Sequence, residues 1–202
     1  MLIMRTFKYS WRFKNTLMAF LVVLSALALT NGTWAKEKAL SYPFTSNSGQ
    51  YWQYSSDRVM GGISNGQVKL EQDGDLIFAR LAGDVSTQNN GGFIQLRTGM
   101  SLADTEKNGN PLQGVRLNVR GNGETYHIFI RTNETRSYSD YFSATFSTND
   151  NWQMIDLPFS IFERKQSKKS VLKANAINSF GIVAYGRDFT ADVSVSTIEF
   201  YY

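Results

Sequence analysis

A single histidine, His127, and no cysteine narrow the chemistry open to this chain of 202 residues. Disulfides, thiol nucleophiles, zinc fingers and a lipid-modified N-terminal cysteine all need a residue it lacks, and paired imidazoles need a second histidine. A Ser-His-Asp hydrolase would have to use His127, which sits mid-strand between Tyr126 and Ile128. Ser170–Lys173 matches the S-x-x-K pattern of penicillin-recognising enzymes, but the S-D-N and K-T-G elements of that set are absent. Gly121 and Gly123 lack the third glycine of a dinucleotide loop, and no Walker loop occurs. Asp73 and Asp75 flank Gly74, which reads as a hairpin turn sooner than as a calcium loop. No catalytic constellation emerges. The expectation is a non-enzymatic protein without cofactor or metal.

Binding chemistry is better represented. Period two puts His127, Phe129 and Arg131 on one face of their strand, and Phe93, Gln95 and Arg97 on one face of another. Arg116, Asn118 and Arg120 form the polar side of a third. If these strands share a sheet, Arg97, Arg120 and Arg131 line an exposed groove with Phe129, Gln95 and His127. Guanidinium groups offer fixed planar donor arrays to carboxylates, phosphates or sugar hydroxyls.

Almost every segment after residue 50 has the two-residue alternation of half-buried strands. Val68–Glu71 and Asp75–Leu81 flank a hairpin turn; Asn65-Gly66 reads as a second turn upstream. Further strands are expected at Gly92–Arg97, Val115–Arg120, Tyr126–Arg131, Tyr141–Thr148, Trp152–Leu157, Ile177–Tyr185 and Val193–Tyr202. Ser101–Lys107 and Ser160–Lys165 read at most as single helical turns. About ten short strands with turns every ten residues or so indicate an all-β sandwich or jelly roll. Glu163–Lys173, with five basic residues and one acid, reads as a solvated loop.

The formal charge of +4 does not mark a nucleic-acid binder. Four of the 21 Lys and Arg residues precede residue 36, where no acid occurs, so the remaining 17 balance the 17 acids. That basic leader precedes the apolar run Leu17–Leu29, which is too short to span a bilayer, and then small residues. Residues 1–35 therefore read as a signal peptide cleaved before Lys36, residues 36–43 as a loose lead-in, and residues 44–202 as one domain. The protein is expected to be exported, periplasmic or extracellular, with no transmembrane span in the mature chain.

Two glycine-rich segments stand out. Asp57–Gly66 reads D-R-V-M-G-G-I-S-N-G, after Trp52, and Asn89–Arg97 reads N-N-G-G-F-I-Q-L-R. Asp57, Arg58, Met60, Gly61 and Gly62 in the first, and Asn89, Asn90, Gly91 and Gly92 in the second, read as corners of the sandwich or as ligand loops. With Gly114–Tyr126, Trp152–Phe162, Ile177–Gly181 and Ile198–Tyr201, they resemble the complex I intermediate-associated protein family of the thirty-kilodalton type. The resemblance implies a galactose-binding-domain-like sandwich and a relation to assembly factors of respiratory complex I that are not enzymes. Two departures set this chain apart: its export signal, and the absence of a glycine-containing segment after the P-F-x-x-F element Pro158–Phe162. The functional expectation is an exported protein-binding or assembly-helper module, with a carbohydrate-binding module of the cell envelope as the alternative.

Overall fold

The computed structural model describes residues 39–102, 111–167 and 170–202. The expected signal segment and most of the expected helical turn at Ser101–Lys107 lie outside them. The described residues form twelve strands, with no α-helix among them. They are β1 (Leu40–Pro43), β2 (Gln53–Ser56), β3 (Asn65–Asp73), β4 (Leu76–Val85), β5 (Phe93–Gly99) and β6 (Gly114–Gly121). β7 (Thr125–Thr132), β8 (Phe142–Ser147), β9 (Gln153–Pro158), β10 (Glu163–Arg164), β11 (Ile177–Tyr185) and β12 (Phe189–Tyr201) complete the set.

All pairings are antiparallel, and they build two sheets. The first runs β3-β4-β12-β6-β9, with β1 also on β12; the second runs β10-β8-β7-β11-β5-β2. Alternation explains the layering. On β5 the even positions Ile94, Leu96 and Thr98 are buried, and on β7 Tyr126, Ile128, Ile130 and Thr132 are buried, while the odd positions stay half-exposed. The buried rows meet Val115, Leu117 and Val119 of β6 and Val193, Val195, Ile198 and Phe200 of β12 in one inter-sheet core. The architecture is the expected all-β, galactose-binding-like jelly roll.

Tyr126 shows how a polar atom is tolerated in that core. Its hydroxyl donates to Asn122 Oδ1 at 2.7 Å and accepts from the Asp192 N–H at 2.8 Å. Burial pushes the phenol up to about 12, so it stays a neutral donor.

Four local expectations change. Residues 40–43 of the supposed lead-in form β1 on β12. Asn65-Gly66 opens β3 and pairs with Asp84 and Gly83, so it is strand and not turn. At Ser160–Lys165 a 3-10 turn, Phe159–Ile161, leads into β10. The charged segment that follows is not wholly solvated, because the Arg164 side chain is only 16% exposed.

Candidate ligand groove on the second sheet

The outward face of the second sheet carries a groove of about 700 Å³. Period two and the register place its floor. Arg97 of β5 lies opposite Gly181 of β11, and Gly181 lies opposite Phe129 of β7. Arg131 is opposite Ser179, one pleat further along. Gly181 and Ser179 are small, so the floor dips between the flanking side chains. A Cβ at Gly181 would still meet only ordinary contacts, the nearest being Gln95 Oε1 at 3.4 Å, the Leu96 carbonyl oxygen at 3.6 Å and Arg97 Cβ at 3.7 Å. The depression is therefore a matter of side-chain size and not of backbone strain.

An aromatic cluster fills the middle. Phe129 stacks on Tyr141 with ring centroids 3.9 Å apart and meets Tyr185 edge-on at 5.2 Å. His127 packs against Tyr185 at 5.5 Å. Burial first, and the Lys165 charge second, lower the His127 pKa, so the imidazole is held neutral near pH 7. Tyr141 is pushed upward by burial and by its hydrogen bond with Tyr185. Both rings are packing groups in their neutral states.

The walls come from loops. On one side Val59 and Met60 stand 77% and 61% exposed, and on the other Tyr138 is 81% exposed. Arg131 donates to the Tyr138 carbonyl at 2.5 Å and lies over its ring, 5.4 Å from the centroid. Lys165 closes the far end over the Tyr185 ring at 5.8 Å.

Asp57 holds the Val59–Met60 wall in place. It is fully buried beneath the loop. One oxygen accepts the Ser64 N–H at 3.0 Å; the other accepts the Gly92 N–H at 2.6 Å, the Phe93 N–H at 3.1 Å and the Ser64 hydroxyl. Burial by itself raises its pKa, but these four donors outweigh it and hold the carboxyl below the usual carboxylate range. The glycines around it serve two different ends. A Cβ on Gly62 or Gly91 would lie 2.4 or 2.5 Å from the Asp57 side chain, so both positions are closed by packing. Gly61 and Gly92 sit at φ +90° and +123°, which glycine adopts at little cost, and nothing crowds Gly61. Asn89 and Asn90 have φ near +57° and +59°, a region asparagine tolerates better than most residues. Gly61→Ala is accordingly expected to cost about 1 kcal/mol through backbone strain alone, readable as a small drop in chemical-denaturation midpoint with no change in the groove.

Not every candidate reaches the groove. Arg97, Arg131, Phe129 and Gln95 line it together, and His127 packs beside them. Arg120 does not. It lies on β6, in the opposite sheet, 4.9 and 4.8 Å from the ring centroids of Phe78 and Trp152 and 3.9 Å from Asp73. The Gly121–Gly123 corner resembles a hairpin turn in sequence but carries the chain from one sheet to the other, because β6 pairs with β12 and β9 instead of β7. Trp152 is therefore a packing residue of the first sheet, and Trp52 packs on Phe44 and Phe180 at the core edge. Arg58 is exposed on the loop whose Met60 forms the wall. Tyr141 stands at the start of one expected strand and Tyr185 at the end of another, so both were open to detection; Tyr138 and Lys165 sit in loops with no periodic signal.

With this geometry in view, residues 42–193 match the family described as complex I intermediate-associated protein 30. The chain belongs to that family. Among solved structures, this complex I intermediate-associated protein 30 member is similar to the family 11 carbohydrate-binding module of a Clostridium thermocellum cellulosomal cellulase. Identity is 12%, covering 81% of this chain and 95% of that one, with a TM-score of 0.63. A structure of the Clostridium thermocellum family 11 module in complex with a β-1,3-1,4-mixed-linked tetrasaccharide gives 13% identity over 80% and 95% of the two chains, with a TM-score of 0.61. At such identities the likeness shows a shared fold. No curated protein sequence matches. Among the described residues no group of three or more His, Asp or Glu side chains is placed to hold a metal ion, and no helix is long and apolar enough to cross a membrane.

Proposed function

We propose that the chain is an exported, non-catalytic binding module that holds a protein partner in the groove of the second sheet, as an assembly helper. One observation carries this reading: the groove is walled by the exposed aliphatic side chains of Val59 and Met60, opposite Tyr138. Aliphatic groups offer a sugar neither a flat platform nor a hydrogen bond, whereas they suit the apolar side chains of a protein. Methionine, tyrosine and arginine are also the residue types over-represented where proteins dock. The family's association with complex I intermediates is consistent with this class of work.

The test is capture from envelope extract by the full chain and by the double variant Val59→Asp, Met60→Asp. Both side chains are exposed, so the variant is expected to melt like the wild type and to lose its stoichiometric partner. A variant that keeps the partner at wild-type affinity overturns the reading.

A carbohydrate-binding role is the second reading, favoured by the Phe129, Tyr141 and Tyr185 rings beside Gln95 and by the fold shared with the tetrasaccharide-bound module. Retention of the chain on an immobilised polysaccharide, lost on substituting Tyr138 by Ala, would establish it.

A further inference from the structure

Five arginines among the described residues are paired with carboxylates. Arg80 grips Asp192 with two hydrogen bonds of 2.8 and 2.5 Å, and Arg116 grips Asp156 with two of 2.5 and 2.7 Å. Arg120 faces Asp73, Arg164 binds Asp140 and Arg187 binds Glu124. Arg97, Arg131 and Lys165, in contrast, line the groove without an ion pair among the described residues, and no carboxylate lines the groove with them. Asp140, whose charge is felt by Arg131, is buried and bound through both oxygens by Arg164.

The cations are also placed in a pattern. Arg97 and Arg131 lie diagonally across β11 over Gly181 and Ser179, their backbones separated by two strand spacings, about 10 Å. Lys165 sits at the other end, over Tyr185. Phe129 and Tyr141 occupy the stretch between. Burial first, and the adjacent Arg97 charge second, disfavour the charged form of Arg131. An anion between the two guanidiniums would relieve that repulsion and be gripped by planar donors from both sides.

We infer that the groove takes an acidic segment of a partner protein, with carboxylates at the two ends and an apolar side chain over the aromatic middle. The inference rests on the groove being the binding site. The aliphatic wall of Val59 and Met60 favours a protein segment over an acidic polysaccharide.

The experiment pans short random peptides on the full chain, with counter-selection on Gly181→Leu, which fills the floor where the backbone already admits a side chain. Enriched peptides are expected to carry Asp or Glu on both sides of an apolar residue. Their Glu→Gln and Asp→Asn versions should bind at least about tenfold more weakly, as should the double variant Arg97→Ala, Arg131→Ala, and binding should weaken as salt is raised. Groove-dependent peptides without acidic bias, or no peptide enriched over Gly181→Leu, overturn the inference. So does an oligogalacturonate probe that binds the groove where peptides do not, since the anion is then a glycan. The two readings fail separately. If Gly181→Leu loses the partner captured from envelope extract while acidic and amide peptides tie, the groove stands and the acidic ligand falls. If Gly181→Leu and the Val59, Met60 variant both keep that partner, the groove itself is wrong.

Discussion

Asp57→Ala is expected to destabilise the protein by at least about 3 kcal/mol, because it strips the acceptor from three backbone N–H groups and one hydroxyl that burial hides from water. Each unsatisfied donor of this kind costs about 1–3 kcal/mol, and water entering the vacated space recovers part of that. Asp57→Asn is expected to fall between the two, since the amide keeps one acceptor oxygen and turns the other position into a donor facing donors. The effect has a pH signature with a definite sign. The folded pKa of Asp57 lies below its unfolded value, so its contribution is complete above about pH 4 and disappears as pH falls through the folded pKa. Chemical denaturation at pH 7 and at pH 3 should therefore show a gap between wild type and Asp57→Ala that narrows in acid. A gap that is small at pH 7, or that widens in acid, would mean that the loop is held by something other than this carboxylate. Packing around Asp57 gives an independent check. Gly62→Ala and Gly91→Ala push a methyl into the same side chain and should also destabilise, whereas the uncrowded Gly61 should not do so by packing.

The D-R-V-M-G-G and N-N-G-G segments are legible as special in the sequence, but not what makes them so. Asp57 and Gly92 are 35 residues apart and meet through one hydrogen bond, and nothing local in either segment announces the other. The alternating strands are legible because a half-buried strand writes its burial directly into residue order: β5 and β7 appear with the faces that alternation gives them, whereas β11 is recognisable as a strand but buries Phe180–Ala184 without alternation. Sheet membership is a different kind of information. Arg97 and Arg131 share a face because β11, whose first residue Ile177 lies 45 positions after the last of β7, Thr132, inserts between β5 and β7. Arg120 looks equivalent to them and is not, because its strand pairs with β12 at the far end of the chain. Alternation fixes which side chains point together along one strand; long-range hydrogen bonding decides which strands lie together. The short strands β1, β2 and β10 escape detection for a related reason. Strands of four, four and two residues carry too few alternations to stand out, and their formation depends on the neighbours they dock on.

Ion pairs hold strands and loops on both sheets, whereas the cations lining the groove have no ion pair among the described residues. On the first sheet Arg80 and Arg116 answer carboxylates on neighbouring strands, so cross-strand pairing satisfies them. Around the groove Arg131 and Lys165 lie over the Tyr138 and Tyr185 rings, and burial costs Arg131 part of its hydration with only the more distant Asp140 charge to offset it. Such an arrangement contributes little to stability, and exposed charges of this kind are usually worth less than about 1 kcal/mol. Removing Arg97 and Arg131 should thus leave melting nearly unchanged, in contrast to the buried pair that lies just behind them.

That pair is Arg164 and Asp140, with side chains 16% and 5% exposed. Arg164 donates through Nε to Asp140 Oδ1 at 3.0 Å and through one terminal nitrogen to Asp140 Oδ2 at 2.7 Å and to the Glu134 carbonyl at 3.0 Å. These bonds clamp β10 to the 133–140 loop, which carries Tyr138 and Ser139 to the groove wall. Asp140→Ala leaves the guanidinium largely buried without its anion, and the expected cost is about 3 kcal/mol, the low end for breaking a buried pair. Arg164→Lys should recover only part of the wild-type stability, because an ammonium can neutralise Asp140 but cannot reach both its oxygens and the carbonyl in one plane. The hydrogen bond and charge of Arg164 hold the Asp140 pKa below its ordinary value, so this contribution too is complete above about pH 4 and is lost as pH falls through the folded pKa. The functional consequence distinguishes a clamp from a mere stabiliser. At a temperature where Asp140→Ala is still folded, freeing the loop should weaken ligand capture in the groove, although Asp140 itself does not line it. If the variant melts early yet binds at wild-type affinity when folded, the pair stabilises the sandwich without shaping the groove. If it melts like the wild type, the guanidinium has found another anion or water in place of Asp140, and the charge clamp is not what fixes this wall.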